Sequence, residues 1–474
     1  MAGIEIKKIS KNIWEIPQHG KMIVPGRIFA SENLVGKIKK DETIKQICNV
    51  ASLPGIVKYS IALPDAHMGY GFSVGGVAAF DIDKGIISPG GIGFDINCGV
   101  RLLSSNLSKN EFLKKRKETA IKIRKDIPSG VGRAGYFRLS EKEIKEILKD
   151  GVNWAIRNGY GEKEDAENCE DGGCLLGAEP DKVSARAVGR GRNQLGTIGA
   201  GNHFLEIQEV EEIIDEKAAE AFGIKKGKIC VLIHSGSRGL GHQTCSDYIV
   251  KMEEKYGHSH LADRQLAYAP IKSRLGEDYI GAMKSAANFA FCNRQLISHL
   301  VREAFKKYFP ASELKLVYDV AHNIAKQEEF EIDGKKRKLY VHRKGATRSF
   351  GKGNKAIPKK YRNIGQPIFI PGSMGTASYV LAGQNKAGKI SFSSAPHGAG
   401  RELSRSYAVK NISAQKIKEQ LKKKDILIEA GSVKGIAEEA PEAYKDVEEV
   451  VRVSHELGIA KKVAKLKPLA VIKG

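Results

Sequence analysis

No stretch of this 474-residue chain approaches the ~20 consecutive apolar residues of a membrane-spanning helix, which argues against a helical membrane protein. The opening residues, MAGIEIKKIS, lack the apolar core of a secretory signal. Cysteine is sparse, with seven residues at 48, 98, 169, 174, 230, 245 and 292. An odd, scattered set argues against a disulfide-stapled secreted scaffold. The expectation is a cytoplasmic protein whose thiols stay reduced and available as ligands. Internal repeats, low-complexity tracts and Pro/Ser-rich linkers are missing as well. So are two common signatures of nucleotide chemistry. There is no GxxxxGK[ST] phosphate loop. The nearest approach to the K-x-D-G signature of lysine-based nucleotidyl transfer runs from Glu331 to Gly334, with glutamate where the lysine belongs.

What is present is an ordinary globular composition, 41% hydrophobic and 28% charged, with an excess of one sign. Lys and Arg number 78 against 55 Asp and Glu, a formal net charge of +23. Such a surplus favours a polyanionic partner, because neutralising phosphates releases counterions. A lysine-rich solvated surface would give the same number, and charge alone does not separate RNA from DNA. Length by itself suggests two or three domains. The chemistry-bearing segments, however, are spread too evenly for separate domains to own them. The expectation is one large mixed α/β domain over residues 1–474, with strands feeding functional loops around a central cleft.

Local patterns predict helices over 108–126, with Ser108 as N-cap, over 277–308 and over 441–456, with Pro441 near its start. Ser140 and Glu143 have capping-box spacing. Strands are predicted at CVLI before His234, LKLVYDVA before His322 and KISFSSA before His397, and a hairpin turn at Ile332-Asp-Gly.

Five glycine-flanked polar segments carry the chemistry: GGIGFDINCGVR from Gly90, GAGNHFLE from Gly199, LIHSGSRGLG from Leu232, VAHNIAK from Val320 and SSAPHGAGR from Ser393. Glycine lets backbone and ligand approach closely, and a histidine among glycines has few apolar neighbours to pack on. Asp95, Cys98, His203, His234 and His322 offer one carboxylate, one thiolate and three imidazoles. That exceeds what one four-coordinate site with an open position needs. A thiolate and a carboxylate can each bridge, so a two-ion centre suited to phosphoryl transfer follows. Taken alone, the thiolate favours zinc. His397 remains as a nucleophile able to form a phosphoramidate, as a further ligand, or as a turn residue. Arg186, Arg190, Arg192, Arg238, Arg401 and Arg405 flank these segments and suit phosphate oxygens. His67, in LPDAHMGYG, is assigned to shaping or contacting the same region, whereas His242 has no distinctive company beyond following the His234 loop. Cys169 and Cys174, in ENCEDGGC, lack two further ligands nearby and read as a loop or an occasional disulfide.

These segments, in this order from LPDAHMGYG at Leu63 to PLAVIKG at Pro468, resemble the signature segments of the RtcB family of GTP-dependent RNA-splicing ligases, in an archaeal-like form. The resemblance covers essentially the whole chain. It implies two Mn²⁺ ions, with Cys98 bridging, Asp95 and His203 completing one site and His234 and His322 the other. It implies GTP as co-substrate and His397 as the guanylylated nucleophile. The implied nucleotide contacts are Asn202, His203, Phe204, Leu205 and Glu206; His322 and Asn323; Pro371, Gly372, Ser373, Met374 and Ser378; Gly398, Ala399 and Gly400 beside His397; and Tyr444 and Lys473. Glu206 could read a guanine edge, and the apolar run before Lys473 favours a docked end. Arg186, Arg190, Arg238 and Arg405 are the implied RNA contacts. The implied activity joins RNA 3′-phosphate or 2′,3′-cyclic phosphate ends to 5′-hydroxyl ends of tRNA halves, with an archease-type protein as activator. The competing readings are a metal-dependent cyclic phosphoesterase and a metal-stabilised RNA-binding protein without turnover.

Overall fold

A computed structural model describes residues 4–474. Its centre is an eight-stranded sheet in the order Leu314–Ala321, Gly99–Ser108, Lys228–Ser235, Phe204–Ile213, Ala460–Lys473, Ser378–Gly383 and Pro367–Ile370, with Leu427–Ala430 added in parallel to Ala460–Lys473. The other pairings are antiparallel. Neighbouring strands therefore begin where their partners end. Gly99 pairs with both Ser235 and Ala321, His234 pairs with Phe204, and Phe204 pairs with Lys473. One end of the sheet thus gathers the start of two strands and the finish of three, drawn from sequence positions near 99, 204, 234, 321 and 473.

A second, seven-stranded sheet has the order Lys7–Ser10, Ile13–Ile16, Gly26–Phe29, Ile56–His67, Val74–Asp81, Lys335–Lys344 and Asn323–Ile332. The chain passes from the first sheet to the second through one residue, His322, between strands Leu314–Ala321 and Asn323–Ile332. The short pair Ala346–Arg348 and Ser394–Pro396 sets His397 beside this crossing.

Helix Arg274–Tyr308 packs on the first sheet and is about 52 Å long at 1.5 Å per residue. Ser273 caps it by accepting from the Gly276 N–H at 3.1 Å, and Lys306 and Lys307 sit against the negative end of its dipole. Its middle is buried all round, polar residues included, because Asn288, Asn293, Arg294 and Gln295 bond to surrounding loops. The Ser140–Glu143 capping box forms, and the Asp333-Gly334 hairpin turn has both residues at positive φ.

Three expected elements differ. The helix expected over 108–126 is two, Lys109–Leu113 and Arg116–Asp126: Ser108 and Glu111 form a capping box, and the break falls at Lys115. Phe112 is thereby committed to Phe305 and Phe309 while Arg116 reaches Asp425. The helix expected over 441–456 is a single turn, Pro441–Ala443, followed by Val447–Glu456. Tyr444 between them is extended, its hydroxyl held by Glu439. The KISFSSA strand is shorter: Lys386–Ile390 is helical, and only Ser394–Pro396 is strand. Cys169 and Cys174 are both free thiols.

Candidate functional site

The five metal-type side chains converge where the first sheet ends. Cys98 Sγ lies 3.1 Å from His203 Nε2 and 3.3 Å from His234 Nε2. His234 Nε2 and His322 Nε2 are 3.3 Å apart, and His203 Nε2 is 2.9 Å from Asp95 Oδ2. The donors form two triads sharing the thiol, Asp95/Cys98/His203 and Cys98/His234/His322, with ligand atoms within 4.8 Å of one another in each. Burial holds the His203, His234 and His322 imidazoles below their ordinary pKa, so they present lone pairs rather than charge. Burial resists ionisation of Asp95, but bonding to His203 and the nearby Arg238 charge hold its carboxyl well below the usual range. Burial, then the Asp95 charge, pushes the Cys98 thiol well above its own. Three neutral imidazoles, a carboxylate and a thiol packed this closely make a donor set suited to a cation. Each triad could therefore hold a metal ion, with Cys98 common to both.

Two backbone features let Asp95 sit there. Asn97 takes a left-handed φ of 56°. A Cβ on Gly236 would stand 2.3 Å from Asp95 Oδ2. Asp95 Oδ1 in turn accepts from the Ser237 N–H at 2.8 Å and its hydroxyl at 3.0 Å.

His397 lies against this cluster, its ring centroid 4.8 Å from that of His322. Its Nδ1 donates to Asp65 Oδ2 at 2.6 Å, and its backbone N–H bonds to the same oxygen at 3.1 Å. With Nδ1 committed, Nε2 is the free nitrogen. Asp65 sits in the LPDAHMGYG stretch, at the end of strand Ile56–His67, fully buried. Sequence alone points in this stretch to His67 and not to Asp65; His67 lines the cavity and bonds through Nδ1 to the Asp65 carbonyl at 3.0 Å.

A cavity of about 220 Å³ opens over His397, His234 and His322. From the NHFLE segment it takes Asn202, Phe204 and Glu206; Asn323 follows His322 along the wall. Pro371, Gly372, Ser373 and Met374 form one side, and Gly398, Ala399 and Gly400 another. Lys473 and Tyr444 close it. Lys473 Nζ donates to the Gly201 carbonyl at 2.7 Å and the His203 carbonyl at 3.3 Å, so this near-terminal residue is docked. Arg401 covers the Tyr444 ring at 5.1 Å. His203 and Leu205 are buried away from the cavity surface, and so is Ser378, whose hydroxyl accepts from Gln208 Nε2 at 2.9 Å. Gln208 also bonds Glu206 Oε2 at 2.7 Å. Burial pushes Glu206 up to about 8, against the pull of Gln208 and Lys473. Lys344, which also lines the cavity, is pushed down to about 7 by burial.

Of the arginines, Arg405 lines the cavity mouth, 3.1 Å from Glu438. Arg238 begins helix Arg238–Tyr256 and donates to His203 Nδ1 at 3.1 Å. An imidazole bound through Nε2 must carry its proton on Nδ1, so loading of His203 and this contact exclude each other. Arg186 and Arg190 are exposed on helix Ala185–Gly191, while Arg192 bonds to the Leu139 carbonyl at 3.1 Å. Arg401 is engaged by Glu439 at 3.0 Å.

Behind the donors lies a buried brace that the sequence reading did not find. Arg294 of the long helix donates to the carbonyls of Asn97 at 2.7 Å and Ser235 at 3.0 Å, the residues beside Cys98 and His234. Asp319 accepts from Arg294 at 2.8 Å and from Arg101 at 2.7 Å. Glu170, in ENCEDGGC, accepts the Ala321 N–H at 2.8 Å, next to His322. The ENCEDGGC segment, which holds no metal ligand of its own, thus supports a ligand strand.

The family model described as "tRNA-splicing ligase RtcB" matches residues 46–474. Among curated relatives, tRNA-splicing ligase RtcB of Thermococcus kodakarensis is 51% identical, over 99% of this chain and 99% of its own length. That of Pyrobaculum aerophilum is 52% identical over the whole of both chains, 100% of each. RNA-splicing ligase RtcB homolog 1 of Entamoeba histolytica is 51% identical over 91% of this chain and 83% of its own.

Proposed function

The chain belongs to the RtcB family of tRNA-splicing ligases, and from that premise we propose that it joins RNA 3′-phosphate or 2′,3′-cyclic phosphate ends to 5′-hydroxyl ends through a guanylate carried on His397. It is an RNA ligase of tRNA splicing. The observation that carries the chemistry is the anchoring of His397 Nδ1 on Asp65, which leaves Nε2 as the nucleophile beside the donor cluster. Asp95, Cys98 and His203 would hold one Mn²⁺, and Cys98, His234 and His322 a second. When bound, such a pair supplies charge stabilisation at phosphorus.

Water opens a cyclic phosphate where one is present. His397 Nε2 attacks the α-phosphorus of GTP, and pyrophosphate leaves. The Nδ1 proton stays on the Asp65 bond, which keeps the tautomer fixed and steadies the positive ring. The RNA 3′-phosphate takes the guanylate, freeing His397. The 5′-hydroxyl then attacks the activated phosphate, and GMP leaves. Glu206 accepts from the guanine edge, Lys473 adds charge at the nucleotide, and Arg186, Arg190, Arg238 and Arg405 take RNA phosphates. An archease-type activator completes the set of partners.

Labelled GTP with Mn²⁺ and denaturing electrophoresis tests the reading. An acid-labile, alkali-stable adduct should form, and His397→Ala should lose it while keeping its metal. That variant should still seal RNA carrying a preformed guanylate on its 3′-phosphate. An adduct mapped to Lys473 or any other lysine would refute the assignment.

A further inference from the structure

At the cavity mouth stands an aromatic ladder that the ligase reading leaves unused. Phe94, one residue before Asp95, lines the cavity. Its ring stacks on His242, with centroids 4.8 Å apart and planes at 26°. Tyr70 meets the same ring edge-on at 5.1 Å and 69°. The three come from separate places: the turn after strand Ile56–His67, the Asp95 loop, and the second turn of helix Arg238–Tyr256. Tyr70 and Phe94 are half-buried and His242 is exposed, unlike Phe72 and Phe80 nearby, which are core. Phe94 covers one face of His242, which leaves the imidazole as the open end of the stack.

The surroundings are cationic. Arg190 bonds to Gln243, the residue after His242, at 2.8 Å. Arg238 opens the same helix. Burial and then Arg190 depress the His242 pKa, so the ring is a neutral aromatic.

We propose that Tyr70, Phe94 and His242 form a stacking platform for one unpaired base of the RNA strand next to the junction, with the open face of His242 as its seat. The proposal rests on the ligase reading for the identity of the strand. Three observations favour a base over a protein side chain. The ladder is continuous with the cavity through Phe94, so it serves a strand that already enters there. Its flanks carry arginines suited to a phosphate backbone rather than a broad apolar surface. And every base has a π-face, so stacking does not select sequence, as joining ends of differing sequence requires.

The test measures binding of a fluorescent RNA with a 3′-phosphate by anisotropy, using the full-length protein with Mn²⁺. Intact strands are compared with strands made abasic at each nucleotide near the end. His242→Ala should weaken binding of intact RNA by roughly 5- to 150-fold, the span of one base–aromatic stack. One abasic position should cost the wild type the same factor and cost His242→Ala nothing more. His242→Phe, which keeps a flat face and removes the ring nitrogens, should restore affinity. GTP adduct formation should be equal in all three proteins. Unchanged affinity in His242→Ala would overturn the proposal and leave the ladder to a protein partner or to packing. Losses that multiply, or a His242→Phe protein that behaves like His242→Ala, would overturn it too. If the wild type shows the coupling but forms no adduct and seals nothing, the ligase chemistry fails and the platform stands.

Discussion

Glu206 lies in the cavity wall with its carboxyl pushed up to about 8 by burial, so at pH 7 it is mainly protonated. A guanine edge offers N–H donors and needs the ionised, acceptor-only form. Nucleotide binding at pH 7 should therefore release a proton, and affinity should rise by up to about tenfold per pH unit until it levels near the raised pKa. Calorimetry in buffers of different ionisation enthalpy reads that proton, and Glu206→Gln should abolish it. The linkage to stability has the opposite sign. The folded pKa exceeds the ordinary value of 4.5, so the contribution is full below 4.5 and lost as pH rises through about 8. Glu206→Gln, a mimic of the protonated acid, should raise Tm at pH 8 more than at pH 5. Asp65 gives a second prediction. Asp65→Asn can leave the His397 ring in the wrong tautomer, a fault that costs up to about 10⁴-fold in other histidine–aspartate pairs. Pyrophosphate release from GTP should slow by orders of magnitude with metal content unchanged, and an unchanged rate would remove Asp65 from the reaction. The donor residues were legible because reactive side chains stood among glycines. Asp65 was not, because its role depends on a partner 332 positions away, and a Pro-Asp pair in a strand carries no local sign of it.

At the level of elements, the site depends on strands that begin and end together, and a single helix residue ties two of them. Arg294 is fully buried and holds the carbonyls beside Cys98 and His234 while paired with Asp319. Removing one partner of a buried pair leaves an uncompensated charge and costs about 3–5 kcal/mol. Arg294→Ala should lower the urea midpoint accordingly and weaken metal retention on dialysis. A variant that loses stability but keeps both ions bound as tightly would confine Arg294 to a packing role. The long helix could be read as one unbroken helical stretch, and the hairpin from Asp-Gly. The splits at Lys115 and around Tyr444 could not. Each is set by tertiary partners, the Phe305/Phe309 cluster for Phe112 and Glu439 with Arg401 for Tyr444, which override local helix preference. The brace was illegible for the same reason: Glu170, Arg294 and Asp319 acquire meaning only when the ENCEDGGC loop, the helix and the strand meet.

Across the whole molecule, the net charge of +23 says that a polyanion is favoured but not where it runs. The structure sorts the cations. Arg401 is largely buried on Glu439, whereas Arg186 and Arg190 are exposed on one helix with Arg192 exposed just past it, and Arg405, though paired with Glu438, stands exposed at the cavity mouth. Lys422, at the end of helix Ala414–Lys423, belongs to a solvated face. If the groove follows Arg190 and Arg405, each phosphate they neutralise adds about 0.7 to the magnitude of the log–log salt slope for a single strand. RNA affinity should therefore fall steeply between low and high salt. Arg190→Ala and Arg405→Ala should each weaken binding and flatten the slope by roughly that increment per lost phosphate contact. Lys422→Ala, the same loss of one charge elsewhere, should change neither beyond a small uniform shift. Equal effects from all three variants would mean that RNA senses only the overall field, and the groove assigned to Arg190 and Arg405 would be wrong.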